Sequence, residues 1–225
     1  MDPQIDGSFL PRLLVWYAVF LFSVTLHEAM HSFVSLRGGD PTAANSGQAT
    51  LNPLPHIQRS KFGMIVVPLL SFFMNGGQWM IGWASAPFNP YWAARYPKRS
   101  FLMSLAGPLS HVPAVIVSFA GLVLLARFGL MGAESGVLWG VEYLLQVVFI
   151  LNTTLLVFNL IPIPPLDGSE VWYLFVRREE DRLRYRMQTA GYQIVGLVLA
   201  WKVFDYIAAP VARFMGYAFH LFVTL

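Results

Sequence analysis

Between Leu13 and Val34 runs an apolar stretch long enough to cross a bilayer, and it carries three ionisable side chains within five residues, His27-Glu28-Ala29-Met30-His31. In lipid, every backbone polar group must be satisfied internally, so a single stretch of this kind is constrained to be a helix. Histidines four apart project from one helix face, close enough for both imidazoles to bind a single Zn2+. Glu28 sits beside them, where it can take a proton from a water activated at that ion. The competing reading is two polar residues on a stripe that faces other helices. Three ionisable groups on an apolar helix are costly without a metal or partners, which weighs against it. The motif therefore puts half of a metalloprotease site at or below the membrane surface.

Composition agrees with this solvent. Of 225 residues, 56% are hydrophobic and 12% charged, about half the charge of an ordinary soluble domain. We expect an all-α polytopic membrane protein of about five to six transmembrane helices, folded as one domain over residues 1–225. Its core is residues 10–176, followed by a cytoplasmic amphipathic segment at 177–189 and C-terminal transmembrane helices at 190–225. The chain has no cysteine, which leaves histidines and carboxylates as the strong metal ligands. The net charge of +3 comes from basic residues in loops, a topology signal rather than a nucleic-acid surface.

The first helix ends at Arg37-Gly38-Gly39-Asp40-Pro41. Residues 48–52 read as a short β segment stopped by Pro53 and Pro55, with an edge open to an extended peptide. The apolar run 62–84 is interrupted by Asn75-Gly76-Gly77-Gln78, a pattern that predicts a re-entrant hairpin. Residues 101–128 and 137–160 read as spans, and prolines 162, 164 and 165 end the second of them. The last apolar run, broken by Pro210, is one long or two short spans.

Zinc needs a third protein ligand, and His56, His111, His220 and a few carboxylates are the candidates. Asp167 is the best placed, because the prolines before it free its side chain from a helix end. For it to meet His27 and His31, an odd number of crossings must separate the two helix ends. A re-entrant 62–84 satisfies this. It also gathers Arg37, Arg59, Lys61, Arg95, Lys98, Arg99 and the arginines at 177, 178, 182, 184 and 186 on one face, against Arg12 and Arg127 on the other. By the positive-inside rule, the site then opens toward the cytoplasm. His56 is a loop histidine or a residue lining the site.

These motifs resemble the site-2 protease family of intramembrane zinc metalloproteases. The likeness rests on HEAMH and on Phe158-Asn159-Leu160-Ile161-Pro162-Ile163-Pro164-Pro165-Leu166-Asp167-Gly168. It extends through Leu51-Asn52-Pro53-Leu54-Pro55-His56, Gly82-Trp83-Ala84 and Ala106-Gly107-Pro108. It is closest to the compact type, without a PDZ-like or nucleotide-sensing domain. Gln58 and His111 depart from it, standing where members of this type commonly have aspartate and asparagine.

The resemblance implies one Zn2+ per chain held by His27, His31 and Asp167, with Glu28 as general base. Asn159 then binds the oxyanion or the substrate backbone, or else makes a helix contact. The expected activity is hydrolysis of a peptide bond in or near a transmembrane segment of a membrane-anchored protein, with the lipid bilayer as the other partner. The alternative is a zinc-binding membrane scaffold or metal-handling protein without protease activity. A membrane zincin using a glutamate as third ligand would have to draw on Glu142 or Glu170.

Overall fold

The computed structural model describes residues 9–175 and 190–224, and the segment expected to be amphipathic at 177–189 lies outside them. The chain divides into two compact units, Met1–Pro90 and Tyr91–Leu225. The first holds α1 (Phe9–Gly38), α2 (Thr42–Asn45), α3 (Pro53–Arg59), a π turn (Phe62–Val66) and α4 (Val67–Met74). After α5 (Pro90–Arg95) the second holds α6 (Pro97–Leu109), α7 (Val112–Arg127), α8 (Gly136–Asn159), a 3-10 helix (Asp167–Leu174) and α9 (Ala190–Thr224).

Four stretches are long and apolar enough to cross a membrane: α1, Pro97–Arg127, α8 and α9. A fifth counts only if the pair Pro53–Arg59 and Phe62–Met74, bent by 113°, is one span. The chain is thus an integral membrane protein with four or five such helices among the described residues, where the six at the upper end of our expectation are not reached. Pro210 lies inside α9 without ending it, as prolines do where the rest of a helix stays satisfied in lipid.

The expected β segment is also absent. Among the described residues there is no strand, and residues 48–52 form an irregular wrap. Gly47, at φ +73°, turns the chain into this wrap. Asn52 then caps α3 by accepting a hydrogen bond from Leu54 N at 3.0 Å, with Pro53 in the first turn. A turn before and a helix cap after leave these five residues no partner strand.

The interrupted run 62–84 forms a hairpin. The π turn and α4 run out to Met74, the chain reverses at 75–78, and it comes back beside the helix it has just left. Ile81 N donates to Ser71 Oγ at 2.9 Å, and Trp83 N donates to Gly63 O at 3.0 Å. Gly82 lies so close to α1 that a Cβ there would stand 2.4 Å from the Phe20 ring.

The π turn has a visible cause and a visible partner. Pro68 has no N–H, so the carbonyl of Met64, four residues earlier, lacks its helical donor. The Tyr17 hydroxyl of α1 donates to that carbonyl at 3.2 Å, and Met64 is fully buried. Tyr17→Phe leaves the carbonyl without this donor and lowers stability by about 1–2 kcal/mol, measured as a fall in the thermal midpoint of the detergent-solubilised protein.

In the second unit, α7 and α8 are joined by a buried polar pair. Asn152 Nδ2 donates to Val148 O at 2.8 Å, so its Oδ1 faces His111 and accepts from Nδ1 at 2.8 Å. This bond ties the start of α7 to α8 at apolar depth, so that His111, a candidate ligand by sequence, makes a helix contact.

Candidate metal centre

The buried face of α1 follows from its sequence. Trp16, Phe20, Val24, His27, His31 and Ser35 recur at three- and four-residue steps and are all buried. His27 and His31 therefore leave the helix from the same face, with their Nε2 atoms 3.0 Å apart and their rings at 81°. Two imidazole nitrogens on a tetrahedral Zn2+, each about 2.0–2.1 Å from it, stand about 3.3 Å apart. The pair matches this spacing closely, and its donor type suits zinc.

Glu28 is 6% exposed, and Ser32 Oγ donates to its backbone carbonyl at 2.9 Å. His27 and His31 lie roughly 10–17 Å along the axis from the C-terminal end of α1, well inside the span. Thr25 Oγ1, two residues before His27, is buried without a hydrogen-bond partner among the described residues.

Asp167 belongs to the second unit, where it is the first residue of the 3-10 helix and is half-buried. Its position follows from its neighbours. Gly168 packs so tightly on the end of α8 that a Cβ would stand 2.3 Å from Leu160 O. Trp172 Nε1 donates to Pro162 O at 2.7 Å, and Ser100 Oγ of α6 donates to Glu170 Oε2 at 3.0 Å. Asn159, the last residue of α8, gives one amide hydrogen to Leu155 O at 2.9 Å. Among the described residues its Oδ1 and second N–H have no hydrogen-bond partner.

Of the other candidates, His56, Glu142 and Glu170 are engaged elsewhere. His56 is buried on α3, with Nε2 donating to Thr50 O at 3.0 Å, and His220 is exposed on α9. Glu142 accepts from Gly132 N at 2.8 Å and from Gln146 Nε2 at 3.0 Å. Glu170 is the acid bonded to Ser100.

Sequence reasoning missed Asp40, which it took only as part of a helix stop. Asp40 is 1% exposed and accepts from Thr42 N, Thr42 Oγ1 and, through Oδ2, Asn89 N at 2.8 Å. It anchors the far end of the irregular 79–89 segment to the end of α1. The available signal was an acid directly before Pro-Thr in a chain with few charges. Asp40→Ala removes these acceptors and costs roughly 2–3 kcal/mol, seen as faster proteolysis within 79–89.

A family model, Peptidase family M50, matches residues 130–202. The chain is 32% identical over 165 residues to "Putative zinc metalloprotease YwhC" of Bacillus subtilis (strain 168), covering 73% of this chain and 68% of that protein. It is 35% identical over 167 residues to "Putative zinc metalloprotease Rip2" of Mycobacterium tuberculosis (strain ATCC 25618 / H37Rv), covering 73% of this chain and 58% of that one. With the Rip2 of Mycolicibacterium smegmatis the identity is 28% over 195 residues, or 85% and 69% of the two chains. No solved structure matches. On the strength of the relative matched over two thirds of its length, and of the family model, the chain belongs to peptidase family M50, the site-2 protease family.

Proposed function

We propose that this chain is a zinc-dependent intramembrane endopeptidase that hydrolyses a peptide bond in or near a transmembrane segment of a membrane-anchored protein. His27, His31 and Asp167 hold the ion. The observation that carries this reading is the facing pair of Nε2 atoms at 3.0 Å, inside a membrane-spanning helix and next to a buried glutamate. The zinc named in the relatives' descriptions fits that donor set.

Bound there, Zn2+ supplies Lewis acidity that polarises a water and the scissile carbonyl. Glu28 takes the proton released from the water and hands it to the leaving amine. Burial of the site keeps competing solvent away from both groups. Asn159, with one N–H and Oδ1 uncommitted among the described residues, holds the substrate backbone or the developing oxyanion.

A transmembrane substrate must unwind before attack, because its carbonyls are hidden in helical hydrogen bonds. The return leg of the 62–83 hairpin suits such an unwound chain better than residues 48–52. The amides of Ile81 and Trp83 turn toward α4 and the π turn. With a period of two, those of Gly82 and Ala84 turn the other way, toward a strand-like partner.

The hairpin's return also supports a re-entrant second segment, and with it a site that opens toward the cytoplasm. The test is cleavage, in liposomes, of a single-span protein that accumulates in membranes carrying Glu28→Gln protein. Equal cleavage by wild type and Glu28→Gln refutes proteolysis at this site.

A further inference from the structure

Helix α9 is 35 residues long, yet only 6% of its apolar stretch is buried, against 39% for α1. Its buried part is concentrated on the segment that leads to Asp167. At Gly196 a Cβ would stand 1.7 Å from the carbonyl oxygen of Pro164 and 2.9 Å from its carbon. The obstacle is backbone, so it cannot swing away as a side-chain tip would. One turn further on, Ala200 is fully buried with Ile161 and Leu166, and Phe158, Ile163, Phe204 and Ile207 pack around them. The rings of Phe158, Trp201 and Phe204 close the cluster, with centroids 4.9 to 6.0 Å apart.

The chain is thus gripped on both sides of Asp167. Before it, Pro164 rests on Gly196 and Leu166 on Ala200. After it, Gly168 rests on Leu160, and Glu170 is bonded to Ser100. The second set comes from α8 and α6, which are well packed. The first comes from α9, which further along its length also packs on α7 through Phe219 and Phe222 against Phe119.

We infer that Gly196 is a positioning residue for Asp167: the seat it offers Pro164 lets α9 fix where the carboxylate stands, so that a shift of α9 moves the carboxylate. This rests on Asp167 being the third zinc ligand. A residue that aims a ligand without touching the metal changes metal retention by about 10- to 100-fold when it is lost.

The test uses the full chain, purified with zinc, as wild type, Gly196→Ala, Gly191→Ala and Asp167→Asn. Gly191 is on the same helix with open space around it, so its variant carries the same change in helix propensity without the obstruction. Two quantities are read: the rate of zinc loss to EDTA, and amide exchange over residues 158–175 of the zinc-free protein.

Gly196→Ala is expected to lose zinc about 10- to 100-fold faster. It should also exchange faster over 158–175, with α1 and α7 unchanged, while Gly191→Ala behaves as wild type. Phe204→Ala, which loosens the same seat by removing volume, should shift both readouts the same way and stands in if Gly196→Ala does not fold.

If Asp167→Asn loses its zinc while Gly196→Ala and Phe204→Ala keep wild-type rates, the positioning role is wrong and the ligand assignment stands. If Asp167→Asn holds zinc as wild type does, the ligand assignment is wrong and this inference falls with it. Faster exchange over 158–175 with an unchanged rate of zinc loss also overturns it, since the segment would then be merely structural.

Discussion

Glu28→Gln is expected to keep one zinc per chain and to lower cleavage of a membrane-anchored substrate by roughly 10^2- to 10^4-fold, the range lost with a general base. The amide has the volume and shape of the carboxyl, so the packing around a side chain that is only 6% exposed is preserved. What it lacks is the ability to take a proton from water near neutral pH. The two histidines proposed as ligands, one residue before and three residues after, are untouched. Zinc content by atomic emission and turnover of the same preparation therefore separate. If both fall together, the side chain is holding the metal site in place rather than moving a proton. If neither falls, peptide-bond hydrolysis takes place elsewhere or not at all.

Asp167→Asn is expected to lose both zinc and cleavage. A neutral amide oxygen is a far weaker zinc ligand than a carboxylate, and with no cysteine in the chain there is no thiolate to take its place. Zinc after mild EDTA treatment is expected to drop below about a tenth of one per chain, because site affinity depends on ligand charge and count. Thermal denaturation gives a second reading. Wild-type protein gains about 4 kcal/mol from free zinc at 1,000 times its dissociation constant, whereas Asp167→Asn gains almost nothing at the same concentration. A variant that keeps its zinc and its zinc-dependent midpoint would move the third ligand to another residue.

The parts of the site that lie in short stretches were legible in the sequence. The i, i+1, i+4 spacing of His27, Glu28 and His31 dictates a shared helix face, and α1 presents that face. The prolines after Leu160 end α8 as expected, and Asn75-Gly76-Gly77-Gln78 marks the reversal of the hairpin.

The errors came where a local pattern had two outcomes and distant residues chose between them. Residues 48–52 have a strand-like composition, yet the cap formed by Asn52 and Pro53 was equally visible and prevails once no partner strand is at hand. Asp40 read as a helix stop because its distant partner, Asn89, is 49 positions away. The bond between His111 and Asn152 spans 41 positions, and the seat at Gly196 joins two segments that no short-range pattern connects. Pro210 left one or two helices open, a choice made by the bilayer, which penalises a broken backbone more than water does.

Helix α9 is also too long for the lipid it crosses. Its 35 residues extend about 52 Å, while a hydrocarbon layer about 30 Å thick takes up about 39 Å of a helix even at a tilt of 40°. At least two turns of it must therefore stand outside the oily layer, among headgroups or in water. The rod thus has about 13 Å more length than the layer takes up, and the flank near its start rests against the Pro164 loop.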